Sequence, residues 1–430
     1  MEELDKSGLF SMRRVVRETG LSADTLRAWE DRYGLPEPQR SKAGHRLYSL
    51  HDIEVVKWML NRKAEGIRPS QAARLFQDMT TAGEDPLAGL PFTANPTDKL
   101  TQLEAIREGW IQTCLKFDEP GVTRLLAQAF AQFTPADVIL GVLVAGMNQI
   151  GQGWLAGQVS VAQEHFATEV GTRKVELYMA ALPPATRPER ILVACPPGER
   201  HAFPALVTAY LLAQAGWQVI YFGADLPTDE LNTVVRQSRL DFAILAGTSL
   251  ATAPELANML RTLQALRVPA GYGGYVYSLN PTLREIMPGH YLGDGLKRIA
   301  DQMPAWLMKG QALVNVELDT MDEFLSNFMA RRSQLEHNLM QVLGVNNGEQ
   351  EQLLALITTF LDNVKASALL GDFELLVPEV DWLGEYLRAN EEFSFTPKEF
   401  LLALDKLVVD YLDDRSRPFS LWLNEQTARF

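Results

Sequence analysis

Cysteine and histidine are scarce in this chain, with two and six residues among 430, and each scarcity closes off a class of chemistry. Cys114 and Cys195 stand far apart with no C-x-x-C spacing, which argues against a disulfide framework or a cysteine zinc site and fits a reducing compartment. The opening residues hold no apolar run of the signal-peptide kind, and no stretch of about 18 uncharged apolar residues offers a membrane span. The expectation is a soluble, cytoplasmic protein. Low-complexity tracts and internal repeats are also missing, and with 47% hydrophobic residues the chain can bury ordinary cores in about two to four domains.

Positive charge is short overall: 40 Lys+Arg stand against 54 Asp+Glu, a net charge of −14. That balance argues against nucleic acid, yet it is unevenly spread. Residues 1–78 carry 14 basic side chains against 12 acidic ones, whereas residues 311–430 carry 9 against 21. Phosphate binding depends on the local field, so the two ends are expected to do separate jobs.

Hydrophobic periodicity divides the rest. Short helical patterns fill residues 11–79, and the Gly/Pro/Thr-rich stretch 80–96 reads as a linker. Four amphipathic patterns at 98–117, 120–133, 135–154 and 160–181 predict an up-and-down four-helix bundle. After Pro183-Pro184 strands alternate with helices: strands at 190–195, 217–222, 242–246, 269–272 and near 291, helices at 201–215, 228–238, 253–266 and 281–287. That alternation predicts a doubly wound parallel sheet, with ligands expected beyond the carboxyl ends of its strands. From about Leu313 the patterns are helical again, at 319–343, 350–370, 375–389 and 397–412, with a tail to Phe430. Phe324, Phe328, Leu335 and Leu339 repeat at helical spacing there, as a second bundle or a dimerisation element would. The fold class is multidomain α and α/β, with domains at 8–80 (winged helix), 98–183 (four-helix bundle), 188–308 (α/β) and 313–430 (C-terminal helical), and a linker at 81–97.

The segment Val15-Val16-Arg17-Glu18-Thr19-Gly20-Leu21-Ser22 joins an apolar helix, a Gly turn and a Ser N-cap to a second helix over 23–33, which is helix-turn-helix grammar. Thr25, Arg27 and Arg32 would project from that second helix towards DNA, with Arg13 and Arg14 on the helix before it. Arg40, Lys42, His45 and Arg46 ride on a Gly-containing turn closed by Leu47 and Tyr48, as a phosphate-gripping β-wing would. These residues resemble the MerR family. Leu26-Arg27-Ala28-Trp29-Glu30-Asp31-Arg32-Tyr33-Gly34 and Gly44-His45-Arg46-Leu47-Tyr48-Ser49 resemble its cobalamin-binding CarH/LitR branch. The resemblance implies a winged-helix dimer that binds double-stranded promoter DNA.

The same branch carries a Glu/Asp-x-His-x-x-Gly pattern, a later Ser/Thr turn and a Gly-Gly pair. Glu199, His201 and Gly273-Gly274 match it. The resemblance makes His201 the axial ligand of a cobalamin cobalt, and an axial imidazole needs its other nitrogen oriented by an acceptor, which Glu199 is placed to supply. The glycines would let backbone approach the nucleotide tail. Pro204 stands where the pattern has Gly, a position that a helix's first turn tolerates. Ala246 or Gly247 falls where a Ser is common, with Thr248 and Ser249 adjacent to take over. Trp154, followed after nine residues by Glu164-His165, is similar to the bundle signature of the branch, which caps the upper face and shields the adenosyl group of adenosylcobalamin. Leu155 stands where light-sensing relatives carry a second His, and leucine cannot ligate; either His165 substitutes or cobalamin is sensed without light.

Residues 311–430 lie beyond the usual extent of that branch. His337 is their only His and Cys is absent, so a metal cluster is not expected. Their acidic faces read as solvated, Trp382, Phe393, Phe395 and Trp422 read as core or interface with core preferred, and the region is a candidate for dimerisation or for a protein partner. The resemblance implies a transcriptional regulator rather than an enzyme, a repressor whose ligand or light state sets its oligomerisation and so its promoter affinity. Two other readings share these features: a corrinoid methyltransferase-like protein, and a regulator that has lost cobalamin and answers to a protein partner.

Overall fold

The computed structural model describes residues 10–19, 21–40, 46–64, 68–81, 86–87, 96–293, 295–310, 320–344, 350–390 and 393–430. The chain forms two compact units, residues 1–101 and 102–430.

In the first unit β1 (Phe10–Ser11) leads into α1 (Met12–Thr19) and α2 (Ala23–Tyr33). The hairpin β2 (Gln39–Arg40) and β3 (Arg46–Tyr48) follows, then α3 (Leu50–Ala64) and α4 (Pro69–Thr81). The strands form an antiparallel sheet in the order β1-β3-β2. Helix α2 starts where Ser22 Oγ accepts the amide of Thr25 at 3.1 Å, and it stops at Gly34, whose φ of 67° only glycine adopts without strain. Val15, Leu26, Trp29, Tyr48, Val56 and Trp58 are among the side chains that close the core. Gly20 and the wing tip 41–45, with Gly44, Lys42 and His45, lie outside the described residues.

The second unit begins within α5 (Pro96–Cys114) and continues through α6 (Glu119–Gln132), α7 (Pro135–Val138), α8 (Ala145–Leu155) and α9 (Val161–Ala180). Helix starts are fixed by side chains. Asp118 caps α6, Thr134 caps α7, and Ser160 with Gln163 forms a reciprocal capping box on α9. Between α7 and α8 the run Ile139–Val144 winds as a π-helix, a local widening that apolar periodicity does not announce. Trp110, Leu126, Val142, Leu143 and Val170 are buried in the bundle core.

Five parallel strands follow: β4 (Arg190–Ala194), β5 (Gln218–Gly223), β6 (Phe242–Ala246), β7 (Ala270–Gly273) and β8 (His290–Tyr291), in the order β5-β4-β6-β7-β8. Both faces are covered, and the period of two decides which residue faces which cover. Ile191, Val193, Phe242 and Ile244 pack with Ala205, Ala209 and Leu212 of α10 (Phe203–Gln214) and with Ile299 and Met303 of α15 (Leu296–Lys309). Leu192, Ala194, Ala243 and Leu245 face the opposite way, towards α11 (Leu231–Ser238) and α12 (Ala253–Ala265). The short helices α13 (Tyr275–Leu279) and α14 (Pro281–Ile286) lie between β7 and β8.

Helix α10 is apolar all round because it serves two cores: Ala205, Ala209 and Leu212 meet the sheet, while Leu206, Val207, Tyr210 and Leu211 belong to the bundle cluster. Its first turn therefore lies between sheet and bundle. Helix α15 has no counterpart in the sequence expectation. Pro304 inside it masked a pattern that Ile299 and Met303 carry at a spacing of four.

The C-terminal helices are α16 (Asp322–Leu343), α17 (Gln350–Leu370), α18 (Val377–Ala389), α19 (Pro397–Tyr411) and α20 (Arg417–Thr427). The expected tail is thus a helix, which buries Phe419, Trp422 and Leu423. Phe324, Phe328, Leu335 and Leu339, read as a second bundle or a dimerisation element, are buried within this unit's own core, in one cluster that runs on into the α12 side of the sheet. Two helical stretches, Pro135–Leu155 and Gln350–Leu370, are long and apolar enough to cross a membrane by length and composition alone, although polar side chains such as Asp137, Asp362 and Lys365 interrupt both. The second is 61% buried inside the protein, as a core helix is, and the first forms a wall of the bundle.

Candidate functional site

The sheet order places the topological switch at β4, whose neighbours β5 and β6 are reached by connections running in opposite directions. Ligands of open α/β sheets bind in the crevice at the carboxyl ends of such strands. Both loops that flank this crevice carry predicted site residues: Glu199 and His201 follow β4, and Thr248 and Ser249 follow β6. Gly198, at φ 81°, turns the first loop, and its amide donates to Asp225 Oδ1 at 2.8 Å.

Glu199 is 1% exposed, and it organises the site. Its Oε1 accepts from the His201 amide at 2.9 Å and pairs with His201 Nδ1 at 2.7 Å. Its Oε2 accepts from the Thr248 amide at 2.7 Å, Thr248 Oγ1 at 3.0 Å and Thr252 Oγ1 at 3.1 Å. Burial alone would push this carboxyl up. The hydrogen bonds from His201 and from the Thr248 and His201 amides outweigh it and hold the group at about 2. The carboxylate is therefore ionised, and it favours the tautomer with its proton on Nδ1. That leaves the Nε2 lone pair of His201 on a side chain that is 71% exposed. The pairing with Glu199 raises the His201 pKa, against a lowering by desolvation, with a smaller push from Glu164 of α9; solvent at so exposed a ring screens the effect.

An imidazole so held is a monodentate metal ligand. Among the described residues no group of three or more His, Cys, Asp or Glu is placed to hold a metal ion, so a metal taken up by His201 must bring its remaining ligands with it. The two cysteines are no nucleophiles, because burial pushes both thiols up to about 12.

The glycine pair ends β7. The Gly247 amide donates to the Gly273 carbonyl at 3.0 Å, and a Cβ on Gly274, at φ 134°, would lie 1.8 Å from the Gly247 carbonyl oxygen. A Cβ on Gly273 would meet nothing within 4 Å, so one glycine closes the loop contact and the other borders open space. Beside them the hydroxyl of Tyr277, fully buried, has no hydrogen-bond partner. Ser249 Oγ lies 3.2 Å from Thr252 Oγ1, and Pro204 sits within the first two positions of α10.

The bundle residues are placed less uniformly. Glu164, in the first turn of α9, accepts from Thr168 Oγ1 at 2.9 Å. His165 is exposed and only 3.7 Å from Glu164, a loose pair. Leu155 ends α8. The indole of Trp154, expected to wall in an upper group, meets two aromatic rings of α18: Tyr386 at 5.5 Å and Trp382 at 6.1 Å between centroids. Phe393, Phe395 and Trp422 are buried, whereas Trp382 is only half-buried. Sequence reasoning missed Thr252, Asp225 and Tyr386, and it named Trp382 without its contact to Trp154. Thr252 was within reach as the Thr after a Ser-containing turn, but α18 gave no sign of its partner.

In the first unit Arg32 is exposed on α2, and Arg27, also exposed, meets Asp24 at 3.0 Å. Thr25 Oγ1 is 2.7 Å from the capping Ser22 Oγ. Arg40 is exposed on β2. Arg46 turns inward instead, its Nε 2.6 Å from Glu30 Oε2, and the Tyr48 hydroxyl donates to the same carboxylate. Glu30 thus braces the wing strand against α2. Arg13 and Arg14 lie on α1, but their side chains fall outside the described structure, as do Lys42 and His45.

Residues 10–79 match the MerR HTH family regulatory protein model, and residues 106–178 match the B12 binding domain. The chain is 31% identical over 259 residues to the HTH-type transcriptional repressor CarH of Myxococcus xanthus, covering 59% of this chain and 85% of that protein. It is 29% identical over 262 residues to CarA of the same organism, covering 61% and 83%. Among solved structures, the Methanosarcina barkeri monomethylamine corrinoid protein aligns with 46% of this chain and 97% of its own at 16% identity and a TM-score of 0.41. With a MerR module ahead of a B12-binding bundle, and with a relative above 30% identity matched over most of its length, the chain belongs to the CarH-like family of MerR-type transcriptional regulators.

Proposed function

We propose that this protein is a transcriptional repressor of the cytoplasm that binds promoter DNA through its winged helix and senses adenosylcobalamin through its second unit. The observation that carries the reading is the Glu199–His201 pair at the switch point: a buried carboxylate fixes one imidazole nitrogen and leaves the other free on an exposed ring. A lone, oriented His with no further protein ligands around it among the described residues suits a metal already enclosed in a macrocycle. The residues fit a corrin in that respect.

His201 would ligate the cobalt through Nε2. Gly273 and Gly274, with Thr248 and Ser249, would border the nucleotide tail, and Trp154, Glu164 and His165 would cover the upper face from the bundle. When bound, the cofactor supplies a cobalt with one exchangeable upper group. The chain's own residues do the rest: Glu199 sets the basicity and direction of His201, and the α8–α9 end of the bundle covers the site. Ligand shifts a regulator only through different affinity for two states, and oligomerisation that differs between bound and free forms is the state change proposed here.

Leu155 removes the second His at the position after Trp154, so the reading places ligand sensing ahead of light sensing. Thr25, Arg27, Arg32 and Arg40 would contact DNA, with Arg13, Arg14, Lys42 and His45 as further cationic contacts. Arg46 would act chiefly through its brace to Glu30.

The test is an absorption spectrum of the purified protein after mixing with adenosylcobalamin in the dark and gel filtration, repeated after green illumination. Co-elution of one corrin per chain with a changed oligomer size supports the reading, and protein eluting without corrin sinks it. A change of oligomer on illumination would add the light response that Leu155 speaks against.

A further inference from the structure

The C-terminal helical region touches both walls of the candidate site. On the lower wall, α17 packs against the turn Leu250–Thr252, and Thr252 Oγ1 is one of the donors that hold Glu199, and through it His201. The attachment is extensive: one continuous buried cluster includes Leu250, Leu256 and Leu260 of the α/β part together with Leu353, Leu356 and Ile357 of α17. Asn280 Nδ2 adds a buried bond to the Leu375 carbonyl at 3.2 Å. On the upper wall the contact is small and aromatic. Trp382 and Tyr386 sit one turn apart on α18, stacked at 5.2 Å with 11° between their planes, and the indole of Trp154 lies against both. Next to it a Cβ on Gly157 would come within 3.0 Å of Asn390 Oδ1 and 3.1 Å of the Ala389 carbonyl, so the backbones approach closely.

All three rings are half-buried. A large aromatic side chain with an unfilled part of its surface has more rotamer freedom than one packed in a core, and a stacking neighbour removes that freedom. We propose that Trp382 and Tyr386 are positioning residues for the ligand cap. Anchored to the lower wall through α17, α18 holds the Trp154 indole over the site and so gives the C-terminal helices a part in choosing the upper axial group. This rests on the cobalamin reading above, and it assigns a task to a region of the chain that the matched DNA-binding and B12-binding segments do not include.

The experiment uses the full chain in three forms: wild type, Trp382→Ala with Tyr386→Ala, and Trp382→Phe with Tyr386→Phe. Each is titrated with adenosylcobalamin and, separately, with hydroxocobalamin, which lacks a bulky upper group. Hydrogen exchange across residues 145–157 is followed without ligand. The alanine pair should lose about tenfold in affinity for adenosylcobalamin, keep its affinity for hydroxocobalamin within about twofold, and exchange faster at the end of α8; the phenylalanine pair should restore all three. An unchanged preference between the two corrins overturns the proposal, as does an equal fall for both, which would mark the stack as structural. A wild type that retains no corrin overturns the cobalamin reading at once and this one with it, whereas a wild type that binds while the alanine pair keeps its preference overturns this one alone.

Discussion

Replacing Glu199 by Gln separates orientation of His201 from its mere presence. The carboxylate accepts from two backbone amides, two threonine hydroxyls and the His201 ring, all between 2.7 and 3.1 Å. An amide keeps one acceptor oxygen but turns two N–H donors towards groups that are themselves donors. Whichever way it is flipped, about two of the hydrogen bonds to a charged group are lost, at ~1.5–3 kcal/mol each before relaxation. A fall in unfolding free energy of about 2–4 kcal/mol is expected. Loss of the partner that orients a metal-bound imidazole lowers metal affinity by roughly 10–100-fold, so the variant should bind corrin more weakly by that factor. His201→Ala makes the complementary case: the ring is 71% exposed but supplies one of the five hydrogen bonds to the buried Glu199 carboxylate, so its removal should cost about 1–2 kcal/mol of stability while removing the proposed cobalt ligand. Urea unfolding of the ligand-free proteins measures the first quantity, and spectral titration with adenosylcobalamin the second. A His201→Ala protein that keeps wild-type affinity and an unchanged corrin spectrum would refute the assignment, and a Glu199→Gln protein with unaltered stability would refute the account of the carboxylate.

Three other perturbations test separate parts of the structure. Gly274→Ala puts a Cβ 1.8 Å from the Gly247 carbonyl at a φ of 134°, and a loss of ~3 kcal/mol or more is expected; a thermal midpoint within a degree of wild type would count against this loop geometry. Arg32→Ala on the exposed face of α2 should weaken promoter binding and reduce the slope of log affinity against log salt by about 1. Fluorescence anisotropy at several salt concentrations reads both, and an unchanged slope excludes a phosphate contact. Burial pushes the Glu379 carboxyl up from 4.5 to about 7. Between those values the folded chain keeps a proton that the unfolded chain has lost, so this group's contribution to stability falls as pH rises through that window. Glu379→Gln should then gain about 1–2 kcal/mol over wild type at pH 8, after a discount for partial exposure, and nothing at pH 4. A gain that does not grow with pH would contradict a buried titrating carboxyl.

What the sequence disclosed depended on whether the determinants were local. Glu199 and His201 stand two positions apart, and the hydrogen bond that matters closes within that span, so the residue pattern carried its own geometry. The Ser22 cap of the second helix was legible for the same reason. Thr252 was missed because its bond to Glu199 spans 53 residues. Arg46 showed the opposite failure: a cation on a predicted wing reads as a phosphate contact, and only the fold brings Glu30 within 2.6 Å. Helix α15 escaped because an internal proline breaks the pattern while Ile299 and Met303 still reach the core.

The aromatic contact between Trp154 and α18 is the largest gap between pattern and structure, and its cause is general. An amphipathic stripe states that a helix has a partner and leaves the partner unnamed. Trp382 and Tyr386, four residues apart on α18, pack partly against the same core as the buried stripe of Val380, Leu383 and Leu387, and Tyr386 also meets Phe393 at 5.9 Å between centroids. Both rings nevertheless stay half-buried, so each keeps apolar surface outside that core. Part of that surface meets Trp154, a residue that the resemblance to the CarH branch makes part of the proposed ligand cap. The C-terminal helices therefore share their largest core with the His201 side of the site and a single aromatic stack with the cap side. If bundle and sheet separate when ligand enters or leaves, the thin contact must yield before the thick one, and α8 should part from α18 while α17 stays on the Leu250–Thr252 turn. Hydrogen exchange that rises in α17 before α8 on ligand release would reverse that order and with it the argument.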